Sequence, residues 1–194
     1  MKKMIGFMFA VFLVIPGAAL AQEKPAAQAA PAAQATPPAN PITMSEKGFY
    51  GFVSGAVISA AQKMPEENYS FKPTPEVRSF GQIVGHVADA SYNFCSQASG
   101  EANPATDIEK TKTSKADLVA AVKDAQAYCF KTYANMTDAK GSEMMKIFGY
   151  QMAKLTVLTI NTAHTDEHYG NMVTYMRLKG IVPPTSEKAE TPAK

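Results

Sequence analysis

The sequence predicts an all-α protein built as a four-helix bundle. Two observations carry that reading. Four stretches of 20 to 30 residues place apolar side chains at three- and four-residue spacing, and no segment shows the alternation of a convincing strand.

The 194-residue chain opens with Lys2 and Lys3, followed by the apolar run MIGFMFAVFLVIPGAALA, which ends in Ala19-Leu20-Ala21. A basic start, an apolar centre and a small-x-small end describe a signal peptide over residues 1–21. The competing reading is an uncleaved anchor, but Pro16 and Gly17 interrupt the run before it reaches the roughly 20 apolar residues a spanning helix needs. The expectation is therefore an exported protein, periplasmic or secreted, whose mature form has no integral membrane segment. Residues 22–41, QEKPAAQAAPAAQATPPANP, have no large apolar side chain to bury and read as a disordered linker. Residues 187–194 read as a disordered tail. Between them, residues 42–186 are the size of one domain with one core.

The first helix is expected from about residue 43 to 63, with Phe49, Phe52, Val53, Ala56, Val57 and Ala60 as its core stripe. Three prolines in MPEENYSFKPTPE then end it. The second starts between Thr74 and Ser79, turns Phe80, Ile83, Val84, Val87 and Phe94 inward, and stops near Gly100. Ser114 to Asp117 reads as a capping box that opens the third, which runs to about Met136. The fourth starts between Ser142 and Phe148 and continues to Lys179, where Gly180 and Pro183-Pro184 stop it.

The 14 residues from Gly100 to Thr113 reach about 46 Å when extended, farther than the roughly 33 Å length of a 22-residue helix. The third helix can therefore run parallel to the second. Cys95 and Cys129 favour that arrangement, because in parallel neighbours they sit at similar height. An oxidising compartment would then join them; the alternative is two buried thiols among core aromatics.

Once Lys2 and Lys3 leave with the signal peptide, 17 basic residues face 17 acidic ones. A neutral chain with no basic run has no electrostatic footprint for nucleic acid. The 11 methionines fall at core-like spacing or near the amino terminus and read as packing.

The chemistry lies in three histidines. His164 and His168, four residues apart, project from one helix face about 6 Å apart, close enough to grip one ion. The zincin motif is excluded, since Thr165 stands where it requires Glu. His86 lies in the first half of the second helix, inside FGQIVGHVADA. There it is either a satisfied core histidine or a ligand. If the fourth helix runs antiparallel to the second, all three histidines converge between facing helices, where bundles build metal sites.

GQIVGHVADASYNFC, followed by NTAHTDEHYGNMVTYMRLKGIVPP, resembles the DinB-like family. The resemblance covers essentially the whole mature domain. It implies an up-down-down-up bundle and a divalent metal, zinc or nickel with iron less favoured, on His86, His164 and His168. Three imidazoles would leave a coordination position open for a water, a thiolate or a carbonyl oxygen. Glu167, Asp89, Asn93 and Asn161 are the nearest polar candidates to fix the imidazole tautomers, whereas Asp166 should point away. Some relatives are bacillithiol-dependent transferases, and export weakens that analogy because such thiols are cytoplasmic. The expectation is a metal-dependent hydrolase or thiol-type transferase of unknown small-molecule substrate. The alternative is a non-catalytic exported metal- or ligand-binding domain; a homodimer is left open.

Overall fold

The structure, a computed structural model, describes residues 38–188. The expected signal peptide, most of the linker and residues 189–194 lie outside the described residues. Four long helices form the bundle: α1 (Pro41–Lys63), α2 (Phe80–Ser99), α4 (Lys115–Asn135) and α6 (Lys154–Leu178). Two single-turn helices, α3 (Ile108–Thr111) and α5 (Asp138–Gly141), and a hairpin of β1 (Met144–Ile147) and β2 (Tyr150–Ala153) lie in the connections. Among the described residues no helix is long and apolar enough to cross a membrane.

Local chemistry sets the helix starts. Ser79 accepts a hydrogen bond from the Gln82 N–H, and the Gln82 side chain accepts one from the Ser79 N–H, so the α2 capping box is complete. At α4 the Ser114 hydroxyl accepts from the Asp117 N–H, but the reciprocal bond is not formed. The first N–H groups of α1 are served from a distance: the Asp138 carboxylate of α5 accepts from Thr43 at 2.8 Å and Ile42 at 3.3 Å. Asn40 Oδ1 accepts in return from the Asp138 N–H, which clamps the two segments together.

Contacts at both ends fix the topology. Cys95 and Cys129 are joined in a disulfide with Cα atoms 5.2 Å apart, while Gly81 meets Leu118 near the other end, so α2 and α4 run parallel. Asn161 touches Cys95, and the Tyr175 hydroxyl donates to the Arg78 carbonyl, so α6 is antiparallel to α2. Tyr50 stacks on Tyr133 with centroids 4.2 Å apart, so α1 is antiparallel to α4. Thr162 donates to Glu46, and Lys63 pairs with Glu187 beyond the end of α6, so α1 and α6 are parallel. The bundle is therefore up-down-down-up.

Its core has two parts. Val57, Phe80, Val84, Val87, Leu118, Val122, Met172 and Met176 fill one half; Tyr50, Phe94, the disulfide, Tyr133, Ile147, Val157 and Leu158 fill the other. The inward positions expected on α2 are all buried.

Two expectations need correction. Phe49 and Phe52 are 50% and 65% exposed, because the buried stripe of α1 is rotated onto Tyr50, Val53, Val57, Ala60 and Met64. Both stripes have helical spacing, and the Tyr50 stack on Tyr133 decides between them. The fourth long helix begins only at Lys154, because the hairpin occupies residues 144–153. Its two-residue turn is Phe148-Gly149, both at positive φ (51° and 83°), the geometry that matches the twist of paired strands.

The disulfide closes a separation of 34 residues, which by loop-closure entropy contributes about 3 to 4 kcal/mol. A Cys95→Ala, Cys129→Ala variant is expected to lose that much in urea unfolding. An unchanged midpoint would mean that packing alone sets the register of α2 and α4.

Candidate metal centre

His86 stands in the first half of α2, and His164 and His168 stand one turn apart on α6. The antiparallel register brings them together: His164 Nε2 lies 3.1 Å from His86 Nε2 and 3.1 Å from His168 Nε2. All three potential ligand atoms fall within 4.8 Å of one another. His168 is buried at 7% exposure, and the other two are half-buried.

The donor set fits a metal ion. Ring nitrogens on one tetrahedral ion with bonds of about 2.0–2.1 Å would stand about 3.3 Å apart, close to the spacing observed. With the Nδ1 of His86 against a carboxylate, its Nε2 presents a lone pair. A proton on His164 Nε2 would then have to serve both 3.1 Å contacts, and one on His168 Nε2 would leave the His86–His164 contact without any, whereas a cation would satisfy all three nitrogens. Burial, reinforced by the other two imidazoles, depresses the His168 pKa to about 3. Desolvation, then the neighbouring His86, also lowers that of His164. Both rings are therefore neutral near pH 7, the state a metal requires.

The residues around the imidazoles differ in part from the expected set. Asp89 does not reach a histidine; its two oxygens accept from the Ile108 and Glu109 N–H groups, each at 2.9 Å. Asn161 is fully buried and turns toward the disulfide, where its Nδ2 donates to the Tyr133 hydroxyl at 3.2 Å. Asn93 accepts from Gln97 at 3.0 Å and lines a cleft beside His86 and His164. Glu167 is exposed and lines another cleft beside His168, and Asp166 is exposed, as its helical angle implies.

Two neighbours went unread. Glu109 Oε2 lies 3.1 Å from His86 Nδ1, and its Oε1 accepts from Arg78 Nε at 2.8 Å. The Asn171 amide lies 3.3 Å from His168 Nδ1. Asn171 was open to discovery, being three residues after His168 on one helix face. Glu109 sits in a connection with no periodicity, and nothing in the sequence signals its approach. His164 Nδ1 is buried without a hydrogen-bond partner among the described residues.

Two clefts flank the histidines. One, of about 430 Å³, is lined by His86, Asn93, Phe94, Glu109 and His164; the other, of about 650 Å³, by Arg78, Glu109, Glu167, His168, Asn171 and Tyr175. A further cavity of about 380 Å³, between Ser99, Tyr128, Lys131 and Lys154, contains none of the three histidines.

Comparison with known proteins gives a consistent result. A model of the DinB superfamily matches residues 54–172. Among solved structures, a DinB-like protein from Bacillus cereus aligns with a TM-score of 0.66 at 17% identity, covering 73% of this chain and 95% of its own. A DinB-like protein from Bacillus subtilis aligns with a TM-score of 0.59 at 21% identity, covering 77% of this chain and 96% of its own. At these identities the likeness concerns the fold. No curated protein matches the chain. The matched span takes in more than half of the chain, all three histidines and the helix pair that faces them together, and the protein belongs to the DinB superfamily.

Proposed function

We propose that this is an exported DinB-like protein that binds one divalent metal ion through the Nε2 atoms of His86, His164 and His168. We further propose that it uses the ion as a hydrolase or thiol-type transferase on a small molecule. The observation that carries the reading is the convergence of three ring nitrogens beside two open clefts. Imidazole ligands suit zinc and nickel, with iron a weaker candidate.

When bound, such an ion acidifies a water or thiol and polarises a carbonyl. The chain's own residues do the rest. His164 and His168 are held neutral by burial, the Glu109 carboxylate accepts from the outer nitrogen of His86, and the clefts admit a substrate to the open side. The alternative, a non-catalytic metal- or ligand-binding domain, draws on one observation: both Glu109 oxygens are already committed to Arg78 and His86. That leaves this carboxylate poorly placed to move protons for a reaction.

Export is part of the proposal. Residues 1–21 would direct it, and the Cys95–Cys129 bond supports an oxidising destination.

Elemental analysis of the purified mature protein after exposure to zinc, nickel and iron tests the reading. One equivalent of metal is expected in the parent and none in a His164→Ala, His168→Ala variant; equal metal in both would remove the site. Acidification provides a second test, on the metal-free protein. Because the folded state holds the His168 pKa near 3 while an unfolded histidine titrates near 6.5, the unfolded chain binds more protons between those values. This contribution to stability is complete above about pH 6.5 and is lost as pH falls toward 3. The urea midpoint should therefore drop more from pH 7 to pH 4.5 in the parent than in His168→Ala. Equal drops would mean that the ring is not desolvated as described.

A further inference from the structure

We propose that residues 107–111 form a positioning arm whose Glu109 carboxylate holds His86 in the Nδ1–H tautomer, so that the Nε2 lone pair faces His164 and His168. For its purpose the inference rests on the metal reading above, but its structural content stands on separate contacts.

Helix α2 is shaped to receive this arm. Gly85 makes room for it: a Cβ there would come within 2.7 Å of the Glu109 Cα and 3.0 Å of its nitrogen. Asp89, one turn beyond Gly85, anchors the arm by accepting the Ile108 and Glu109 N–H groups. His86 lies between these two features, with its Nδ1 at 3.1 Å from Glu109 Oε2. Asp107, at φ 60°, turns the chain into the short helix that carries Glu109.

The carboxylate is also fixed from its other side. Arg78 Nε donates to Oε1 at 2.8 Å, and the Arg78 carbonyl accepts from the Tyr175 hydroxyl of α6 at 2.7 Å. Glu109 is thus placed by α2, by the segment before α2 and, through Tyr175, by α6. A carboxylate accepts only, so a neutral His86 must donate from Nδ1 and keep Nε2 unprotonated. A partner of this kind also makes the ring a stronger ligand, an effect of about 10- to 100-fold in metal affinity.

A simple staple would use the same contacts to fasten the loop, and ring tautomer separates the two roles. Long-range ¹H–¹⁵N correlation of the metal-free protein should show His86 wholly as the Nδ1–H form. In Glu109→Ala the Nε2–H form should become populated, and zinc affinity should fall by about 10- to 100-fold. Asp89→Ala, which touches no imidazole, should move both readouts in the same direction. Glu109→Gln should restore the tautomer, because its amide oxygen still accepts, and recover part of the affinity. If Glu109→Ala fails to fold, Asp89→Ala decides alone. An unchanged His86 tautomer in the folded variant, with only the melting temperature lowered, would overturn the proposal. If the parent binds no zinc yet the tautomer shifts, the arm stands and the metal reading falls.

Discussion

The antiparallel register of α2 and α6 sets His86 opposite His164 and His168, and a slip of one turn in either helix would separate these rings. That register is held at both ends of the pair. At one end Tyr175 bonds to the Arg78 carbonyl; at the other Asn161 meets the disulfide and Tyr133. The histidines lie between these two fastenings, one buried and one part-buried, which oppose rotation of either helix. Losing such a contact costs more than its net contribution, since the remaining partner is left desolvated.

The disulfide layer extends this logic across the bundle. Cys95 and Cys129 join α2 to α4, Tyr133 links α4 to the Leu158 carbonyl of α6, and the Tyr50 stack brings in α1. All four long helices therefore meet in one layer, and the site lies between α2 and α6, nearer the start of α2. A covalent bond is useful here because the layer is polar. Asn161 and Ser91 are buried with atoms that lack hydrogen-bond partners among the described residues, so packing alone would hold the layer less firmly.

Much of this was legible from residue patterns. The start of the third helix at Ser114 could be read, and that of the second bracketed between Thr74 and Ser79, because capping is local chemistry; the histidine convergence followed only if the second and fourth helices were antiparallel, the arrangement that the family resemblance implied. What escaped depends on competition or on long-range contact. Phe49 and Phe52 formed as good a stripe as the true one, and only the Tyr133 partner selects Tyr50. The hairpin escaped because its turn places a phenylalanine at positive φ, against the usual preference for Asn or Asp, and its strands are only four residues each. Glu109 escaped because its position is set by Gly85 and Asp89, 24 and 20 residues earlier in the chain. Asp89 was singled out as a neighbour of the imidazoles, and instead it carries the residue that fills that place.

The central claim is that three imidazoles from α2 and α6 hold a single ion. X-ray absorption at the metal edge of the zinc-loaded protein tests it most directly. The account predicts three imidazole ligands at about 2.0–2.1 Å, with the remaining coordination from oxygen. A sulfur shell, or fewer than two imidazoles around the ion, would contradict it and leave the convergence of His86, His164 and His168 without a metal to explain it.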